Sequence, residues 1–461
     1  MHEKPYNKTS LSKFESMLKT NSVFFFDSTE FESIIQHYLD VGRQSLAEKA
    51  IVLGLEQHPT SVSLKLLKAE SFIFIDKLDE ADAILNALHA LEPNNEEIYI
   101  QKASLFSKKN EHQRAIDALK TALVYTKDNA DILAMIGMEY LYLDNFDEAR
   151  LNFAKCLTVD FEDYSSLYNV VYCFDMQNQH KEAIDYLNDF IDKDPYCEVA
   201  WHQLGRQYFI LEQYNEALRA FDYAVLIDEF FVGAYLEKAK TQEQLELYED
   251  AIENYLATTE LDDPSAFAYY RIGRCYDRLD KKEQALQYYK KTVKEDPLLD
   301  KGWLALTNIY LEDKNYQKAL YYINKAISID ESNTLFWRRH AEINLKLNFF
   351  EEAIEAFKKC LNYKDKELDI FMGLSDVLNF VGEYKDASKI LIKALRLFPN
   401  HAEIEYRLGC VYFVLGDEEK GEKFLRKGFK TDYEYHTLFQ EIFPSVFDLD
   451  IVNELISEFK N

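Results

Sequence analysis

The sequence predicts an all-α solenoid of stacked helix pairs, and three observations carry that expectation. Alanine recurs in one unbroken 34-residue register at Ala47, Ala81, Ala115, Ala149, Ala183, Ala217, Ala251, Ala285, Ala319, Ala353 and Ala387, with Gly421 at the twelfth position. The residues around each alanine repeat the same two helical faces. Prolines and turn formers fall at fixed phases of the same period. A fixed period of this size marks a helical repeat array. Such an array grows along its axis without a new core, so 461 residues need not divide into globular domains.

Residues 1–27 precede the array. Ser10 or Ser12 can cap a short helix with Leu11, Phe14, Met17 and Leu18 on one face, and the apolar run Val23-Phe24-Phe25-Phe26 follows. Asp27, with Glu30 three residues on, reads as a capping box opening the first repeat helix. This segment is expected to cover the apolar end of the stack.

Residues 28–435 divide into twelve contiguous units of 34, starting at 28, 62, 96, 130, 164, 198, 232, 266, 300, 334, 368 and 402. In the sixth unit Trp201, Leu204, Gly205 and Tyr208 share one helical face, and Ala217, Phe221 and Ala224 form a second. Small residues at the eighth and twentieth positions let two antiparallel helices approach, and large ones fill the grooves beside them. Pro59, Pro93, Pro195, Pro297 and Pro399 occupy the thirty-second position, where the second helix must stop. Asp144-Asn145, Asp313-Lys314-Asn315, Gly382 and Gly416 mark turns between the two helices. In residues 436–461 Pro444 interrupts the pattern. Asp448 or Asp450 can then cap a last helix carrying Val452, Leu455, Ile456 and Phe459, expected to close the other end.

This pattern resembles the tetratricopeptide repeat (TPR) family over residues 28–435. Phe161, Glu229 and Tyr433 depart from its proline and Gly421 from its alanine. The whole arrangement is also similar to a group of long all-TPR cytoplasmic proteins of Bacteroidota, a similarity that brings no activity with it. The resemblance implies a right-handed superhelix of about twelve helix-turn-helix repeats with capping helices at both ends, its first helices lining a concave groove.

Composition narrows the function. A net charge of -28 sets the surface against nucleic-acid phosphates and anionic lipid, so neither nucleic acid nor membrane is an expected partner. The N-terminus is polar, and the apolar run at Val23 is too short for a signal-peptide core or a membrane span. Six cysteines, at 156, 173, 197, 275, 360 and 410, form no Cys-x-x-Cys pair; they read as reduced core thiols of a cytoplasmic protein. No Gly-rich phosphate loop, Gly-x-Ser-x-Gly or His-Glu-x-x-His motif occurs, so no enzyme, metal or cofactor is expected. Acid pairs such as Glu351-Glu352 and Glu418-Glu419 favour helix N-termini and face water.

What remains is a surface. On the first helices the second, fifth, ninth, twelfth and thirteenth positions should face the groove. Units one to five place there Glu32, Asp40, Glu70, Glu97, Asp131 and Asp175 against Lys108, and units eleven and twelve place Asp369, Asp376 and Glu403. Units six to ten place Arg206, Lys240, Arg274, Arg278, Lys301, Arg338 and Lys346 against Glu243, Asp277, Glu312 and Glu342. A basic stretch thus sits inside an acidic chain, interleaved with Tyr168, Tyr172, His202, Phe209, Phe267 and Tyr270. Arginine forks suit carboxylates, and aromatic rings add contact area at low entropic cost.

The expected function is a non-enzymatic protein-interaction scaffold. It would bind an extended acidic peptide or a C-terminal carboxylate through His202, Arg206, Phe209, Lys240, Phe267, Tyr270, Arg274, Arg278, Lys301 and Arg338. The arrangement is similar only in kind to the carboxylate-holding groove of some TPR proteins, since the lysine and asparagine set of that clamp is missing. The competing reading of the bases is an internal network of ion pairs with Asp277, Glu243 and other acids. The competing reading of the whole is an assembly scaffold acting through its convex face or ends. The acidic first part of the groove, with Met138, Tyr142 and Tyr168, could take a second, basic ligand.

Overall fold

The computed structural model describes residues 8–20, 24–126, 129–261 and 265–460. Among these there are 28 helices and no strand. The chain forms two compact units, Met1–Phe231 and Val232–Asn461.

In unit 1 a thirteen-residue helix, here called an A helix, begins at Ser28, Val62, Glu96, Ala130, Tyr164 and Glu198. Its antiparallel B helix begins at Gln44, Leu78, His112, Phe146, His180 and Tyr214. Unit 2 repeats the pattern, with A helices from Val232, Ala266, Asp300, Thr334, Leu368 and Ala402 and B helices from Tyr248, Lys282, Tyr316, Phe350, Tyr384 and Glu418. All eleven alanines of the 34-residue register are fully buried. Gly421 completes the register because a Cβ there would lie 2.6 Å from the Phe413 ring.

One backbone device closes every helix pair. The residue two before each B helix has positive φ: Gly42, Asp76, Asn110, Asp144, Asn178 and Glu212 in unit 1, and Glu246, Asp280, Lys314, Asn348, Gly382 and Gly416 in unit 2. The next N–H then reaches back five residues, as when Glu111 N–H donates to the Phe106 carbonyl at 2.8 Å and Asn315 N–H to the Tyr310 carbonyl at 2.8 Å. This is the Schellman bond, which satisfies a carbonyl left over at the helix end. Left-handed backbone costs an L-residue roughly 1–2 kcal/mol, less for Asn and Asp. Lys314→Gly is therefore expected to raise stability by about 0.5–1 kcal/mol after the unfolded-state entropy of glycine is deducted, read as a higher urea midpoint.

Phe14 and Met17, from helix Lys8–Thr20, bury with Phe26 against Phe31, Ile34, Ile35 and Tyr38. Gln57 fastens the following chain: its Nε2 donates to the Phe24 carbonyl at 2.9 Å, and it accepts from Phe26 N–H at 3.1 Å. Asp27 and Glu30 form the capping box. Ser10 is not a cap: it lies inside the first helix, buried, and its hydroxyl donates to Glu30 Oε1 at 2.6 Å. Val23 lies outside the described residues.

At the other end helices His436–Ile442, Pro444–Phe447 and Asp450–Phe459 bury Phe439, Val446, Phe447, Val452 and Leu455 against Tyr406, Phe413, Leu425 and Phe429. The cap position of the last helix is Leu449, without a side-chain bond. Asp450 is its first residue, where its charge favours the helix dipole.

Candidate functional site

The A helices of unit 2 bring part of the basic stretch together. Helix Ala266–Arg278 carries Phe267, Tyr270, Arg274 and Arg278, each three or four residues from the next and so on one face. Helix Asp300–Glu312 lays Lys301, Leu304 and Asn308 beside it. Tyr270, Arg274, Arg278, Lys301 and Asn308 line a cavity of about 420 Å³ that also includes Asp277, Asp280, Lys282 and Glu312. Among the described residues no carboxylate lies within 4.0 Å of the side-chain nitrogens of Arg274, Arg278 or Lys301; the Asp300 carboxylate accepts only from the Lys301 backbone N–H, at 2.7 Å. Lys282 instead takes Glu312 at 2.8 Å and Asp313 at 3.9 Å. The Asp277 carboxyl is held above its ordinary range by partial desolvation and by Glu312, an effect that Arg278 and Lys282 partly offset.

Other bases are engaged within the fold. Arg338, on helix Thr334–Lys346, bonds to Asp365 and Glu367 in the loop that ends its own repeat. Lys240 pairs with Glu237 at 2.8 Å, three residues back, and lies 5.8 Å from the centre of the exposed Phe267 ring. Arg271, one position off the face considered from sequence, donates to Glu243 Oε1 at 2.6 Å and to Tyr255 Oη at 3.1 Å. Tyr255 in turn donates to Glu243 Oε1 at 2.6 Å, and burial pushes its phenol far up. Glu243, a groove acid in the sequence count, is thus part of a buried triad with only 7% of its side chain exposed.

The remaining site residues lie on helix Glu198–Ile210 of unit 1. His202 is buried between Phe221 and Phe231, with ring centroids 5.8 and 4.9 Å away. Arg206 donates to Gln203 Oε1 at 3.1 Å, and Phe209 is half-buried edge-on to Tyr214.

Unit 1 has cavities of its own. One of about 580 Å³ is lined by Glu32, Glu70, Glu97 and Gln101 together with Ser63 and Leu66. Burial, with Glu97 and Asp40 nearby, raises the Glu70 carboxyl. The six cysteines are all buried, and burial pushes the thiols of Cys156, Cys173, Cys197 and Cys360 up to about 11, which leaves them poor nucleophiles. Among the described residues no helix is long and apolar enough to cross a membrane, and no group of three or more His, Cys, Asp or Glu is placed to hold a metal ion.

One family model described as tetratricopeptide repeat matches residues 165–195 and 267–298, and a second with the same description matches 130–163 and 301–333. BBSome complex member BBS4 of Bos taurus is 29% identical over 98 residues; the match covers 21% of this chain and 18% of that protein. A tetratricopeptide repeat protein from Parabacteroides merdae is 18% identical with a TM-score of 0.37, covering 54% of this chain and 98% of its own. The APC/C hetero-tetramer Cut9-Hcn1 aligns over 88% of this chain and 93% of its own at 13% identity and a TM-score of 0.36.

Proposed function

We propose that the chain, a tetratricopeptide-repeat protein, is a non-enzymatic protein-interaction scaffold whose second unit holds an extended acidic peptide or a protein C-terminus. One observation carries the reading: Arg274, Arg278 and Lys301 converge with Tyr270 on one cavity, without carboxylate partners among the described residues, in a chain of net charge -28. Neighbouring bases repel one another at short range, and a ligand anion seated between them relieves that repulsion. Arg274 and Arg278, four residues apart, can fork onto one carboxylate or two successive ones. Tyr270 and Phe267 supply flat apolar area beside them, and Lys301 extends the basic wall onto the next repeat.

The test is a displayed library of random C-terminal peptides, selected on the full chain, with the winners measured by fluorescence anisotropy. Acidic sequences are expected to be enriched. Arg274→Glu/Arg278→Glu is expected to weaken them by at least about a hundredfold, since each lost charge-assisted contact is worth roughly 1.5–3 kcal/mol. Asp277→Asn should act in the opposite direction and tighten binding, because it removes a negative charge from the cavity lining that would repel an anionic ligand. Enrichment of neutral or basic peptides, or binding indifferent to both variants, would sink the reading. Attention would then pass to assembly through the convex face or ends.

A further inference from the structure

We propose that unit 1 carries a second docking surface, for a peptide segment in which lysine or arginine side chains adjoin a stretch of apolar ones. The carrier is an exposed apolar patch on two successive A helices. Helix Ala130–Tyr142 turns out Met138 and Tyr142, and helix Tyr164–Met176 turns out Tyr168, Tyr172 and Met176. Each is between 37% and 59% exposed. The two rows adjoin: Asn169 Nδ2 lies 3.9 Å from Met138 Sδ. Beside them lies a cavity of about 820 Å³ whose apolar lining comes from Ile73, Ala134 and Met135. Scattered exposed apolar residues need no explanation, but five on adjoining helix faces beside a cavity mark a contact surface. Methionine and tyrosine suit it, since one adapts its shape and the other gives rigid area with a polar tip.

Charge fixes the occupant. Glu32, Glu70 and Glu97 stand on three successive A helices leading to this patch, and among the described residues none has a cation within 4.0 Å. Asp131 continues the acidic side onto the wall of the larger cavity. On that wall His112 is taken by Glu139 at 2.8 Å and stacks on Tyr142, which leaves Lys108 as the opposing base. A basic stretch would meet these carboxylates while the adjoining apolar side chains cover the tyrosines and methionines. An acidic segment, or nucleic-acid phosphates, would be repelled from the same surface. The two units would then hold ligands of opposite charge, and one chain could bridge two partners.

Three labelled peptides measured by fluorescence anisotropy against the full chain test this. One joins a Lys/Arg half to a Leu/Phe half. The second has the same charge but only Lys and Ser, and the third replaces the bases of the first with Glu. The first is expected to bind at least about tenfold tighter than the second, and the third not at all. Tyr142→Ser/Tyr172→Ser and, separately, Glu70→Gln/Glu97→Gln should each lose about tenfold. These side chains are exposed or half-buried, so unchanged circular dichroism should accompany the losses; Met176→Gln alone serves if the tyrosine pair fails to fold. Equal binding of the Lys/Ser peptide would mean general attraction to an acidic protein and overturn the proposal. So would binding insensitive to the tyrosines, or a dimer in sedimentation that the tyrosine variant dissolves, since a second copy would then be the occupant.

Discussion

Arg271→Met is expected to destabilise unit 2 by about 3–5 kcal/mol, more than loss of any exposed ion pair in the molecule. The reason is what the guanidinium leaves behind. Glu243 keeps 7% of its side chain exposed and Arg271 17%, and they meet at 2.6 Å with the Tyr255 hydroxyl on the same carboxylate oxygen. Without the arginine a buried carboxylate retains one neutral donor and no counter-charge. Methionine fills much of the arginine stem's volume, so the loss measures charge rather than a void. The double variant Arg271→Met/Glu243→Gln should recover most of the loss, because both charges then leave together. Tyr255→Phe alone should cost only about 1–3 kcal/mol, the penalty for one hydrogen bond withdrawn from a charged group. Urea midpoints read by circular dichroism order the variants. Hydrogen exchange of helices Val232–Gln244 and Ala266–Arg278 locates the effect. An Arg271→Met midpoint equal to wild type would mean that the carboxylate finds water or another cation.

This triad also shows where reading the sequence stops. Helix positions, faces and the partner alanines follow from spacing along one chain, so the helix pairs were legible, and each A helix begins at the first residue of its 34-residue unit, whereas the starting residues of the B helices were not read. The Asp27–Glu30 cap was legible for the same reason, its two halves lying three residues apart. The left-handed residue before each B helix was visible where it is Gly382, Gly416 or Asp144. It was hidden where it is Glu212 or Glu246, residue types that carry no turn signal. Ion pairs between repeats were legible only as an alternative that named Glu243 as an acceptor without naming Arg271 as its partner. Assigning Glu243 to the groove and omitting Arg271 treated each helix as an isolated cylinder, whereas packing against Tyr255 draws both inward. The loop acids Asp365 and Glu367 lie outside any helical face, so their hold on Arg338 could not enter a count of A-helix charges. Only after those engagements are known do Arg274, Arg278 and Lys301 stand apart from the other bases.

Gly205→Ala should lower stability, by about 1–2 kcal/mol, even though helix propensity alone argues for a gain of about 1 kcal/mol. A Cβ at Gly205 would lie 2.6 Å from the ring of Phe221, a side chain with no exposed surface and hence little room to yield. The same contact recurs where Gly137 faces Phe153 and Gly273 faces Tyr289, at 2.7 and 2.6 Å. In two repeats with leucine at the ring position the small residue is alanine, since Ala69 shares a core with Leu85 and Ala103 with Leu119, whereas Gly409 faces Leu425 and Ala239 shares a core with Tyr255. Among the pairings at this position the chain thus holds two solutions to the packing problem, glycine against a broad ring and alanine against a branched aliphatic. Gly205→Ala/Phe221→Leu converts one solution into the other and should recover much of the single variant's loss, whereas Phe221→Leu alone leaves a gap and should cost about 1–2 kcal/mol. A double-mutant cycle on urea midpoints gives the coupling directly, and a favourable interaction of at least about 1 kcal/mol is expected. Simple additivity would mean that the helices shift apart to accept a methyl group. The close approach at the eighth position would then be set by the neighbouring repeats rather than by this pair.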